Sequence, residues 1–219
     1  MLTAAAELRQ WPADWTTPGF IARGVALAIT TAARAITGVR ARWICDKSEM
    51  RRIYVANHTS HADFVLLWAS LPENLRARTL PVAAADYWRH GPVRRFLIER
   101  AFQGVLIDRG NRSRNPISPM LGALQRGRSL ILFPEGTRGS GHDVLPFKCG
   151  LYHLALAYPD VEIVPVYIQN SNRVLPKGAI FPVPLLCSIT FGSATRLVEG
   201  EDKAASLARI RQCVIKAAG

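Results

Sequence analysis

The densest run of reactive side chains in this 219-residue sequence is Asn57-His58-Thr59-Ser60-His61-Ala62-Asp63. An imidazole and a carboxylate five positions apart, across a strand-to-helix turn, can meet. The carboxylate then fixes the imidazole tautomer and supports the imidazolium formed when His58 takes a proton. General-base catalysis of this kind contributes about 10²–10⁴-fold. The same spacing also suits a purely structural arrangement, with Asp63 capping a helix that begins near Phe64 and His58 satisfying a backbone group. Spacing alone leaves both open.

Two further polar clusters could share a crevice with this one. Asp108-Arg109 follows the apolar run 104–107, and Pro134-Glu135-Gly136-Thr137-Arg138 follows Leu130-Ile131-Leu132-Phe133. Guanidinium forks bind phosphate bidentately, and Lys148, ten residues past Arg138, opens a helix whose first N–H groups also suit anions. A lone arginine is more commonly a solvated surface charge, and Arg112 and Arg114 fit that reading or a lipid-headgroup contact. A metal is not expected. His58, His61 and Asp63 lack the H-x-H-x-D-H spacing, no H-E-x-x-H occurs, and His90, His142 and His153 show no ligand pattern. P-loop, G-x-G-x-x-G and G-x-S-x-G signatures are missing, which argues against nucleotide binding and a serine-hydrolase elbow.

These clusters sit where strands end. Candidate strands are 52–56, 79–83, 104–107, 129–133, 161–168 and 185–191; candidate helices are 62–70, 87–101, 116–125, 148–158 and 201–217. Such alternation predicts an α/β fold with a mostly parallel sheet flanked by helices, and sites beyond the carboxyl ends of its strands. An N-terminal helical region precedes it, dividing the chain into residues 1–39 and a domain over residues 40–219.

The length suits one domain, and 49% hydrophobic residues can fill its core. The formal charge of +12 points to a polyanionic partner. Nucleic acid is disfavoured, because the basic residues are dispersed and no aromatic-rich strand of the RNA-recognition type occurs. Cys45, Cys149, Cys187 and Cys213 lie far apart without CxxC spacing, as expected for reduced, buried thiols. The opening residues carry Glu7 and Asp14 and lack the pattern of a secretory signal. Residues 19–38 are apolar but interrupted by Arg23 and Arg34 on nearly one helix face. No transmembrane helix is therefore expected; this helix either lies in a lipid interface or packs on the protein's own core.

Together, Asn57-His58-x-x-x-x-Asp63, Gly104-Val105-Leu106-Ile107-Asp108-Arg109, Phe133-Pro134-Glu135-Gly136-Thr137-Arg138 and Val164-Pro165-Val166 resemble the four motifs of the glycerolipid (lysophospholipid) acyltransferases, in family order. The resemblance covers about residues 40–195; Gly139 stands where many members have Ser. It implies transfer of a fatty acyl group from an acyl-CoA or acyl-carrier-protein thioester to a glycerolipid hydroxyl, with 1-acylglycerol 3-phosphate the first choice among lysolipid acceptors. It also implies His58 as base with Asp63 as support, and Arg109, Glu135, Gly136, Thr137 and Arg138 around the glycerol phosphate. Pro165 is then expected to shape the crevice beside the acyl donor. Glu135, itself an anion, is better suited to a glycerol hydroxyl or to bracing Arg138 than to phosphate. No cofactor is called for, since a thioester is already activated. A covalent intermediate on Ser60 or Cys149 has no evident base. The alternatives are a lipid or ester hydrolase with the same base, and a non-enzymatic basic binding module. A basic protein acting on a membrane lipid is expected at an anionic surface, peripheral on the cytoplasmic face.

Overall fold

The computed structural model describes residues 18–60, 62–108, 116–141, 143–171 and 186–219. In chain order it runs α1 (Phe20–Thr37), β1 (Arg40–Trp43), β2 (Arg52–Ala56), α2 (Asp63–Ser70), α3 (Glu73–Arg76), β3 (Thr79–Ala84), α4 (Ala85–Trp88), α5 (Pro92–Phe96), a π-helical turn (Leu97–Ala101) and β4 (Val105–Ile107). It continues with α6 (Ser118–Gln125), β5 (Ser129–Leu132), α7 (Gly150–Ala157), β6 (Glu162–Gln169), β7 (Ser188–Phe191) and α8 (Lys203–Lys216).

The strands form one seven-stranded sheet in the order β1-β7-β6-β2-β5-β3-β4. All neighbours are parallel except β6 and β7. Parallel strands are covered on both faces, so they read as continuous apolar runs rather than alternating ones. In β2, Ile53 and Val55 join the core beneath α6, α7 and α8, while Tyr54 and Ala56 join the opposite core with Leu66 and Leu67 of α2. An ion cluster built on one buried arginine anchors the start of β2. Arg52, 1% exposed, donates through Nε to Glu162 at 2.9 Å and pairs through Nη2 with Asp46.

The expected helix over 87–101 is three pieces. Gly91 at φ +87 breaks it, and Pro92, with its preset φ, starts the next turn. β1 and α3 were not expected from the sequence; β1 is a short, mostly exposed Arg-Ala-Arg-Trp strand beside β7.

Helix α1 turns Ala22, Ala26 and Thr30 inward against α2 and the π turn, and leaves Phe20 and Ile21 exposed. By length and composition it qualifies as a membrane-crossing candidate, with mean hydropathy 1.3 over 18 residues. This departs from the expectation drawn from Arg23 and Arg34. Those two charges lie near the ends of the helix, where they interrupt the apolar stretch least. The part of the N-terminal helical region before Pro18 lies outside the described residues.

Candidate active site

β2 delivers its polar cluster from the middle of the sheet. Asn57, 4% exposed, closes the strand by a two-way clamp: its Nδ2 donates to the Ile168 carbonyl at 3.0 Å and its Oδ1 accepts from the Ile168 N–H at 2.8 Å. His58 follows, half-buried, stacked on Phe133 with ring centroids 4.5 Å apart. Thr59 is tied through its hydroxyl to that of Ser171 at 2.9 Å.

The imidazole and the carboxylate meet. His58 Nδ1 lies 2.9 Å from Asp63 Oδ2, and the same oxygen accepts the N–H groups of Thr59 (2.6 Å) and Ser60 (2.8 Å). Asp63 is fully buried in the first turn of α2, where the helix dipole favours its negative charge. The carboxylate therefore does two things at once: it folds the 59–60 loop back on the helix and holds the ring. Among the described residues its Oδ1 has no hydrogen-bond partner. With Nδ1–H given to the carboxylate, the basic lone pair sits on Nε2, on the other edge of the ring.

Glu135 locks the second loop to the first. It was expected to meet a glycerol hydroxyl or brace Arg138; instead it is 3% exposed, and its two oxygens accept the His58 N–H at 2.7 Å and the Leu145 N–H at 2.9 Å. Burial pushes its carboxyl above the usual range, against the opposing pull of those two backbone donors. The Gly139 N–H returns a bond to the His58 carbonyl at 2.8 Å, so His58 is gripped from both sides of its backbone.

A cavity of about 260 Å³ opens at these strand ends, lined by His58, Phe133, Gly136, Thr137 and Arg138 on one side. The opposite wall is largely apolar: Val82 and Ala84 of β3, Tyr87 and Trp88 of α4, and Phe64 of α2. Gly136 adopts φ +68, and a Cβ there would sit 2.7 Å from both Cε and Nζ of Lys148. The glycine thus keeps room for the lysine side chain against the loop at Gly136; Lys148 itself is not among the residues that line the cavity. The arrangement gathers the imidazole of His58, the guanidinium of Arg138 and an apolar wall around one cavity.

Arg109 and His61 lie outside the described residues, and two other expectations stand differently. Pro165 is not brought to this cavity: it is buried within β6, paired in register with Val55, and its carbonyl accepts from Gly192. The thiols are not uniformly buried, since Cys149 is exposed. Asn57 and Phe133 were legible as motif members but not as the clamp and the platform of His58. The signal for Asn57 was there: a polar residue ending a strand whose other residues are buried on both faces.

Comparison with known proteins follows the same lines. Residues 39–169 match the model of the acyltransferase family. A 1-acyl-sn-glycerol-3-phosphate acyltransferase from Salmonella typhimurium is 32% identical over 143 residues, 56% of this chain and 49% of that protein. The Escherichia coli protein of the same name is 31% identical over 143 residues, with the same two shares. The chain thus spans about half the length of the curated relatives it matches. The crystal structure of a 1-acyl-sn-glycerophosphate (LPA) acyltransferase from Thermotoga maritima superposes with a TM-score of 0.69 at 20% identity, covering 99% of this chain and 86% of that one. At that identity the likeness concerns the fold.

Proposed function

The chain belongs to the acyltransferase family, and from that premise we propose that it acylates the free hydroxyl of 1-acylglycerol 3-phosphate, giving phosphatidic acid. The donor is an acyl thioester of coenzyme A or of acyl-carrier protein. The observation that carries the reading is the 2.9 Å pairing of His58 with Asp63 at the mouth of a cavity whose rim holds Thr137 and Arg138.

The step balances without an added reactant. His58 Nε2 takes the proton of the acceptor hydroxyl as its oxygen attacks the thioester carbonyl. The tetrahedral intermediate collapses, the carbon–sulfur bond breaks, and the imidazolium returns the proton to the departing thiolate. Asp63 holds the ring and stabilises the transient imidazolium. Arg138 and Thr137 take the acceptor phosphate, with Lys148 reaching it from behind Gly136, while Val82, Tyr87 and Trp88 line the path for acyl carbon. Arg109 joins the phosphate set by its place in the second motif. Glu135 acts as a positioning residue through the backbone of His58. The reading calls for no cofactor or metal.

The acceptor is a membrane lipid, and the chain has the means to reach one. With a charge of +12 and the exposed Phe20 and Ile21 on α1, it docks peripherally on the anionic cytoplasmic leaflet. Purified protein given radiolabelled acyl thioester with and without 1-acylglycerol 3-phosphate tests the function. Labelled phosphatidic acid that depends on the acceptor is expected; free fatty acid made at the same rate in both tubes would overturn it in favour of hydrolysis.

A further inference from the structure

Among the described residues a second cavity is larger than the one beside His58. About 550 Å³ lies between the N-terminal half of α1 and the far end of α2, and three guanidiniums, those of Arg23, Arg76 and Arg128, line it against a single carboxylate, Glu73. Neither Arg23 nor Arg76 makes an ion pair among the described residues. Arg76 lies over the Trp68 ring, 5.3 Å from its centroid, and Arg128 is steered inward by donating to the Ala77 carbonyl at 3.2 Å. Burial, and then the neighbouring charge of Arg34, hold the Arg76 guanidinium below its ordinary pKa, so positive charge is stored here at a cost an anion would relieve.

The rest of the wall is mixed: Ala26 and Leu27 of α1, Trp68 of α2 and Phe102 after the π turn give it an apolar side, and Thr30, Thr79 and Gln103 add uncharged polar groups. Such a volume far exceeds a lone phosphate and suits a phosphate with glycerol and the start of a fatty chain. The pocket is distinct from the catalytic one. Phe64, which lines the His58 cavity, and Phe102, which lines this one, meet edge to face at 5.1 Å and stand between them. Beside the pocket, α1 exposes Phe20 and Ile21, side chains suited to the acyl region of a leaflet.

We propose that this pocket binds the phosphate headgroup of an anionic membrane phospholipid, with Arg23, Arg76 and Arg128 on the phosphate and a chain along Trp68 and Phe102. It is a docking site for bilayer lipid, separate from the acceptor in the His58 cavity. The proposal does not depend on the acyl-transfer reading, and its test involves no turnover.

Trp68 reports on the pocket directly. The full-length protein is titrated with phosphatidylcholine vesicles containing either brominated phosphatidylglycerol or brominated phosphatidylcholine, and the fluorescence lost is compared with that of Trp68→Phe. The Trp68 component is expected to be quenched by the brominated anionic lipid and not by the brominated neutral one. Arg76→Gln is expected to require about fivefold more anionic lipid, the effect of one arginine lost near such a surface. Lys216→Gln, an equal charge change on α8, leaves the titration unchanged. Arg23→Gln, on the exposed edge of α1, repeats the test should Arg76→Gln fail to fold. Equal quenching by both lipids overturns the proposal, as do equal shifts for Lys216→Gln and the pocket variants. So does displacement of the lipid by inorganic phosphate at matched concentration, which would make the pocket a free-anion site.

Discussion

Asp63→Asn separates the two tasks of one carboxylate. In the wild type, Oδ2 accepts three donors at 2.6–2.9 Å while Oδ1 is buried without a partner among the described residues. A carboxamide placed with its oxygen at the Oδ2 position keeps all three contacts, now as neutral hydrogen bonds of roughly half the strength. Its NH₂ then occupies the Oδ1 position, a buried donor without an acceptor, costing about 1–3 kcal/mol. Together these predict a stability loss of about 3–7 kcal/mol, a large share of the total of about 5–15 kcal/mol typical of a domain. The rate loss has a separate cause. An imidazolium without its carboxylate is less stable, and in a comparable His–Asp pair of another enzyme the same substitution costs about 10⁴-fold in kcat, or about 5 kcal/mol of barrier. Steady-state acyl transfer at saturating 1-acylglycerol 3-phosphate, with thermal unfolding on the same preparation, measures both. A folded Asp63→Asn protein with kcat within about tenfold of wild type would show that Asp63 only shapes the loop, and the dyad argument would fail.

Gly136→Ala adds a Cβ at a left-handed position and displaces Lys148, whose Cε and Nζ would lie 2.7 Å from it. Losing that charge-assisted contact raises KM for the phosphate acceptor by about tenfold or more with a smaller effect on kcat, and an unchanged KM would remove Lys148 from the phosphate site. Because burial lifts the Glu135 carboxyl, the folded chain takes up a proton there before the unfolded chain does. This group therefore adds stability as pH falls through its raised value and withdraws it as pH rises; Glu135→Gln lacks that slope. Urea unfolding from neutral to mildly acid pH should show the wild type gaining on the variant as pH falls, and the opposite slope would contradict the assignment. Arg52→Met strips Glu162 of its buried partner and should cost about 3 kcal/mol. For a chain of this size that lowers Tm by about 6–12 °C; a loss under about 1 kcal/mol would place the pair among ordinary surface contacts.

What the sequence disclosed depended on how local each signal was. The central strands were legible because burial on both faces leaves uninterrupted apolar runs, as in Leu130-Ile131-Leu132. β1 was not, since Arg-Ala-Arg-Trp owes its extended form to pairing with β7, a partner almost 150 residues away. The His58–Asp63 contact was foreseeable from one turn of chain. Glu135 was not: the N–H groups it receives come from His58 and Leu145, and only the packed sheet brings them to one carboxylate. Gly91 carried a break that periodicity over 87–101 concealed. Pro165 illustrates the reverse limit, for a motif position can mark a buried strand beside the site rather than its wall.

The central claim, that the imidazole of His58 takes the acceptor's proton, is tested most directly by His58→Ala. The account predicts a folded protein whose formation of labelled phosphatidic acid falls by at least about 10²-fold at saturating substrates. Turnover within a few fold of wild type would contradict it and move the base elsewhere in the cavity.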